Sequence, residues 1–145
     1  MSARSKIEVQ NSQRRRRVNV QELQRFAERA LQLVLRVPSV ASSELQNLAS
    51  LRVILVSDRR MAALHRKFMN MQGATDVITF QHGEIFVSVE TAQRNAARFR
   101  TSTKNELKLY LVHGLLHLHG FDDKSFPDAS LMEAAQKRIL LACIS

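Results

Sequence analysis

Apolar and polar positions follow two rhythms along this chain, and each rhythm predicts an element. KIEVQ (6–10) alternates residue by residue and predicts a short strand. VQELQRFAERALQLVLRV (20–37) places Leu23, Phe26, Ala27, Ala30, Leu31 and Val34 at three- and four-residue steps, one face of an amphipathic helix. Pro38 and the polar ASSE stop it. LRVILVS (51–57) is apolar, β-branched and short, a buried strand, and Ser57 or Asp58 caps the helix that opens at DRRMAALHRKF. After a break at Gly73, TDVITF (75–80) and EIFVSV (84–89) predict two antiparallel strands joined through Gln81, His82 and Gly83. TAQRNAARF predicts a helix, and Thr103 with Glu106 makes a capping-box pair that opens the next, STKNELKLYLVHGLLHLH. SFPDASLMEAAQKRIL closes the chain as a helix, with Pro127 near its start and Leu131, Ala135 and Ile139 at helical steps. The pattern contains no repeat, long linker or low-complexity tract. It predicts one α+β domain over residues 1–145, a small mixed sheet of about four strands with about five helices.

Length and composition agree with that reading, since 145 residues with 45% hydrophobic content can bury a core without metal or disulfide staples. Charge adds a partner class. Lys and Arg number 22 against 13 Asp and Glu, a formal net charge of +9, which points to a polyanion such as nucleic acid first and an anionic membrane surface next, without choosing between them. The RRRR run at 14–17 is either solvated or in contact with phosphate. Cys143, the single cysteine, excludes a disulfide within the chain and reads as a small buried apolar residue. The polar N-terminus and the lack of an apolar run of ~20 residues predict a cytoplasmic protein with no membrane partner.

The candidate chemistry lies in HGLLHLHGFDD (113–123). At about 100° per residue, His113 and His117 share a helical face one turn apart, the geometry by which a helix offers two imidazoles to one ion. His119 lies about 240° around from His113 and is expected in solvent or over the last carbonyls of the helix. Gly120 suits the left-handed residue that ends a helix, after which the chain can turn an acid, Asp122 or Asp123, back toward the two rings. A histidine pair alone is weak evidence, because such a spacing arises by chance; the glycine stop and the acids strengthen it. A zinc peptidase would need glutamate directly after the first histidine, and that position is Gly114. A residue this small is expected to leave room for a bulky substrate beside the metal.

The run HGLLHLHGFDD resembles the signature of the YbeY family of bacterial metal-dependent endoribonucleases, H-G-x-L-H-L-x-G-[YF]-D-H, at every position but the last. TDVITF followed by GEIFVS is similar to that family's T-D-V-[LI]-[ST]-F and G-[DE]-I-x-[IV]-S segments, in the same order, and LMEAAQKRIL resembles its closing helix. The resemblance implies one bound zinc ion at the C-terminal end of a helix and a role in ribosomal RNA maturation, at the 3′ end of small-subunit rRNA, and in ribosome quality control. It also implies the small ribosomal subunit or ribosomal proteins as partners. Carried over, the ligands fall on His113, His117 and Asp123, where the family usually has a third histidine. A carboxylate is an accepted zinc ligand, but its harder oxygen opens the site to other divalent ions. The family also places an arginine six positions before the threonine of T-D-V; here that position is Met69. Arg66 or Lys67 stands in for it on RNA, unless both belong to a solvated helix face.

The expected reaction is hydrolysis of a phosphodiester in single-stranded RNA. Three protein ligands leave a fourth position for a water whose pKa zinc lowers to about 7. Asp122 is expected to act beside the ligands or to accept a proton, or else to be a turn residue, and Glu106, two helical turns before His113, is a weaker candidate. The rival reading is an RNA-binding ribosome assembly factor that does not cut and uses metal only to pin the helix end. With aromatic content of 6% assigned mostly to core positions such as Phe26, Phe80 and Phe86, no stacking platform for bases is evident.

Overall fold

The computed structural model describes residues 5–144. Its strands are β1 (Lys6–Asn11), β2 (Ser50–Val56), β3 (Val77–Phe80) and β4 (Glu84–Ser88), and its helices α1 (Val20–Arg36), α2 (Asp58–Met69), α3 (Val89–Phe99), α4 (Thr103–Leu118) and α5 (Phe126–Ile144). The sheet runs β1-β2-β4-β3. β1, β2 and β4 are mutually parallel along their pairings, and β3 turns back antiparallel on β4 with Val77 opposite Val87 and Phe80 opposite Glu84. The sheet is mixed, as the pattern predicts.

Strand alternation divides the interior into two layers. Ile7, Val9, Leu51, Val53, Leu55, Ile85 and Val87 face one side and form the main core with α1, α3, α4 and α5. Ile54, Val56, Ile78 and Phe86 face the other side, where Met61 of α2 completes a smaller core. α4 is buried nearly all round, with Leu107, Tyr110, Leu111, Val112, Leu115, Leu116 and Leu118 in the interior. A helix so apolar must be the centre of its layer. Its position explains why the two histidines, half-buried at 113 and 117, open onto the sheet edge rather than onto bulk solvent.

The starts of α3 and α4 lie slightly upstream of the predicted ones. The cap of α4 is Ser102, whose hydroxyl accepts the amide of Asn105 at 3.1 Å, so the expected Thr103 and Glu106 capping box is not used and Glu106 is buried instead. Ser88 caps α3 through the amide of Thr91, which brings Val89 into the helix. Ser57, one of the two expected residues, caps α2. Asp58 then ties α2 to α3 by accepting from Ser88, Thr91 and Arg94. No helix among the described residues is long and apolar enough to cross a membrane.

Candidate metal centre

α4 ends as the glycine predicts. Its last carbonyls bond to the amides of His119, Gly120 and Phe121, and Gly120 has φ +94°, where an added Cβ would lie 2.7 Å from the carbonyl oxygen of Ala41. The chain reverses there, Phe121 is buried as an anchor, and Asp123 returns to the histidine face. Ligand atoms of His113, His117 and Asp123 lie within 4.8 Å of one another.

The hydrogen bonds settle which ring nitrogens are free. Nδ1 of His113 is 2.7 Å from Oε1 of Gln136 in α5, and Nδ1 of His117 is 3.1 Å from the carbonyl oxygen of Phe121. Both partners only accept, so each Nδ1 carries the proton and each Nε2 keeps its lone pair. The two Nε2 atoms are 3.0 Å apart, and Nε2 of His113 is 3.7 Å from Oδ2 of Asp123. Two lone pairs and a carboxylate aimed at one point repel unless a positive charge lies between them. Ligands held ~2.0–2.1 Å from one tetrahedral ion stand roughly 3.3 Å apart, between the two observed separations. Burial, and then the His113 ring beside it, lower the pKa of His117, which keeps it in the neutral form a metal requires. The donor set thus fits one divalent ion.

The centre lines a cleft of about 450 Å³ between α4 and the β3 edge, whose walls include Met69, Asp76, Thr79 and Gln81. Asp122 stands apart from the ligand group. Its Oδ1 accepts the amide of Lys124 at 3.0 Å, the turn geometry that was the alternative reading of this residue, while its charge still reaches His117. Arg66 and Lys67 are exposed in the last turn of α2, separated from Met69 by Phe68. Glu106 lies deep in α4 beside Tyr110, away from the ligands.

Two expectations need correction. His119 is fully buried, neither in solvent nor over the last carbonyls of α4, because the 37–43 segment covers the helix end; its ring donates to the carbonyl of Val37 and accepts from the hydroxyl of Ser43. Gly114 makes room for the sheet and not for substrate, since a Cβ there would lie 2.8 Å from Cγ2 of Ile85 and 3.3 Å from Oγ1 of Thr79. Most aromatic rings are interior, as expected, with Phe26, Phe86, Tyr110 and Phe121 buried and Phe80 half-buried, while Phe68, Phe99 and Phe126 are exposed. Gln136 was missed altogether. A polar residue four positions after buried Met132 and three before buried Ile139, beside the core stripe of α5, was the available signal.

The sequence profile described as "Endoribonuclease YbeY" matches residues 8–143. The chain belongs to the endoribonuclease YbeY family. A YbeY endoribonuclease of Bacteroides fragilis is 31% identical over 111 residues, covering 72% of this chain and 80% of that one. One of Flavobacterium johnsoniae is 36% identical over 105 residues, covering 68% and 76%. Among solved structures, the solution structure of TM1509 from Thermotoga maritima superposes with a TM-score of 0.67 at 25% identity, covering 94% of this chain and 88% of that one. Membership in the YbeY family agrees with the α+β architecture.

Proposed function

We propose that this YbeY-family chain is a cytoplasmic endoribonuclease that hydrolyses phosphodiester bonds in single-stranded RNA, acting in ribosomal RNA maturation at the 3′ end of small-subunit rRNA and in ribosome quality control. The observation that carries the reading is the pair of Nε2 lone pairs 3.0 Å apart with the Asp123 carboxylate beside them. His113, His117 and Asp123 hold one ion, zinc or another divalent metal. When bound, that ion supplies a Lewis acid for the phosphoryl oxygen and a water acidified toward neutral pH.

The chain's own groups do the rest. Gln136 and the Phe121 carbonyl fix the two rings so that only Nε2 faces the cleft. Asp123 lowers the net positive charge of the centre, which weakens its attraction for a leaving oxyanion relative to a third neutral histidine. Asp122, whose charge reaches His117 from the turn after α4, is the proton acceptor in this reading. Arg66 and Lys67 meet the RNA backbone where Met69 replaces the family arginine. Ribosomal RNA is the substrate, with ribosomal proteins or the small subunit as neighbours.

The test is His117→Ala, with cleavage and RNA affinity measured separately on purified protein. Loss of cleavage with folding and binding retained supports the nuclease. A wild type that binds RNA but does not cut it, and melts at a lower temperature without metal, favours an assembly factor with a structural ion.

A further inference from the structure

The last turn of α2 and the loop after it carry an apolar surface that the fold leaves uncovered. Phe68 is 55% exposed, Met69 45% and Met71 55%. Packing does not account for them, because α2 meets the sheet through Met61 and Leu64, and buried His65 bonds the carbonyl of Gly73. The Phe68 ring stands nearly perpendicular to that of Phe80 on β3, with centroids 5.2 Å apart. Phe80 is anchored from beneath by Phe86 at 5.7 Å and stacks with the exposed ring of His82, also at 5.7 Å. These rings form a row that is rigid at Phe86 and open to solvent at Phe68 and His82.

Charge and position say what the row fits. Nζ of Lys67 lies 5.3 Å from the Phe68 centroid and Arg66 precedes it; among the described residues neither head group is in an ion pair. Aromatic faces beside unmatched cations suit an unpaired nucleotide, which brings a base to stack and a phosphate to neutralise. Met69, next to Phe68, and Gln81, between Phe80 and His82, both line the metal cleft. β3 ends the sheet, so cleft and ring row flank one free strand edge, joined by those two residues.

We infer that Phe68, backed by Phe80 and His82, is a stacking platform for an unpaired base of the RNA strand whose phosphodiester lies in the metal cleft. The inference rests on the RNA reading above and deepens it by giving single-strand preference a physical source. A base already stacked in a duplex has no free face for Phe68, whereas any unpaired base does, so the platform selects strandedness and tolerates sequence.

The probe is an oligoadenylate of about ten nucleotides, alongside versions with one abasic nucleotide at successive positions. Phe68→Leu keeps apolar bulk without a π face, and Phe68→Trp restores the face and places a reporter in a chain that has no tryptophan. Binding by Phe68→Leu is expected to weaken about five- to a hundred-fold at an unchanged melting temperature. Phe68→Trp should bind as the wild type does, with its emission quenched by the RNA. The abasic position that weakens wild-type binding should cost Phe68→Leu nothing further. Equal affinity of wild type and Phe68→Leu, or emission from Phe68→Trp that saturating RNA leaves unchanged, overturns the platform alone. A wild type that binds no RNA overturns the platform together with the RNA reading, and self-association lost in Phe68→Leu assigns the patch to a second copy of the chain and overturns it too.

Discussion

Gln136 in the closing helix holds His113 in the tautomer a metal needs. Its Oε1 lies 2.7 Å from Nδ1 of that ring, across the packing of α5 on α4, and leaves Nε2 as the free donor. The two residues are 23 positions apart in sequence. Gln136→Leu is therefore expected to weaken divalent-ion affinity about 10–100-fold, the range for losing a group that orients a ligand. Gln136→Glu, which still accepts, should retain most of it. Competition with a chromophoric chelator measures both, and equal affinities for Gln136→Leu and wild type would show the contact to be incidental.

Asp123 brings a carboxylate oxygen within 4.8 Å of ring nitrogens of His113 and His117, at the position where the resembled signature has histidine. Oxygen ligands suit harder ions and imidazole suits zinc. Asp123→His should raise the preference for zinc over manganese, and Asp123→Ala should lower affinity for both. Equilibrium dialysis against the two ions together reads the ratio directly; an unchanged ratio in Asp123→His would mean that the acid does not coordinate.

Gly114 lets α4 approach the sheet. With the Cγ2 of Ile85 2.8 Å from where a Cβ would stand, Gly114→Ala must displace a fully buried side chain. Overpacking of this kind costs about 1–3 kcal/mol, to be read as a lower urea midpoint at an unchanged slope. Because His113 and Thr79 flank the contact, metal affinity should fall as well.

Tyr110, the sole tyrosine, reports the interior of α4. Burial raises its pKa from 10.0 to about 12, against a hydrogen bond from Asn95 that lowers it. The folded value lies above the unfolded one, so the stability linked to this phenol is fully present below about pH 10 and is lost as pH rises from there toward 12. Ultraviolet titration should give one phenolate midpoint near 12 for folded protein and near 10 in denaturant. A midpoint near 10 without denaturant would contradict the buried placement.

Legibility followed the range of the forces involved. Helices and strands came through to within a few residues because three- and four-residue or alternating patterns report burial locally, as in Leu23 to Val34 of α1. Helix caps were less legible, since Ser102 and Thr103 are equally good caps by residue type and the choice depends on how α4 seats in the core. His119 was misplaced for a related reason. Its angle on the helix was right, but the 37–43 segment that buries it comes from more than 70 residues away, as the Ser43 contact at a separation of 76 shows.

The amino-acid order alone determined the element sequence, the shared face of His113 and His117, and the turn at Gly120, because backbone periodicity and left-handed φ are properties of a few neighbouring residues. Tertiary packing decided that Asp123 reaches that face, that Gln136 orients His113, that Gly114 serves the sheet, and that Phe68 stays in water beside the cleft. Each of these depends on which surfaces of distant elements meet, and that is set by burial of the whole core rather than by any local run of residues.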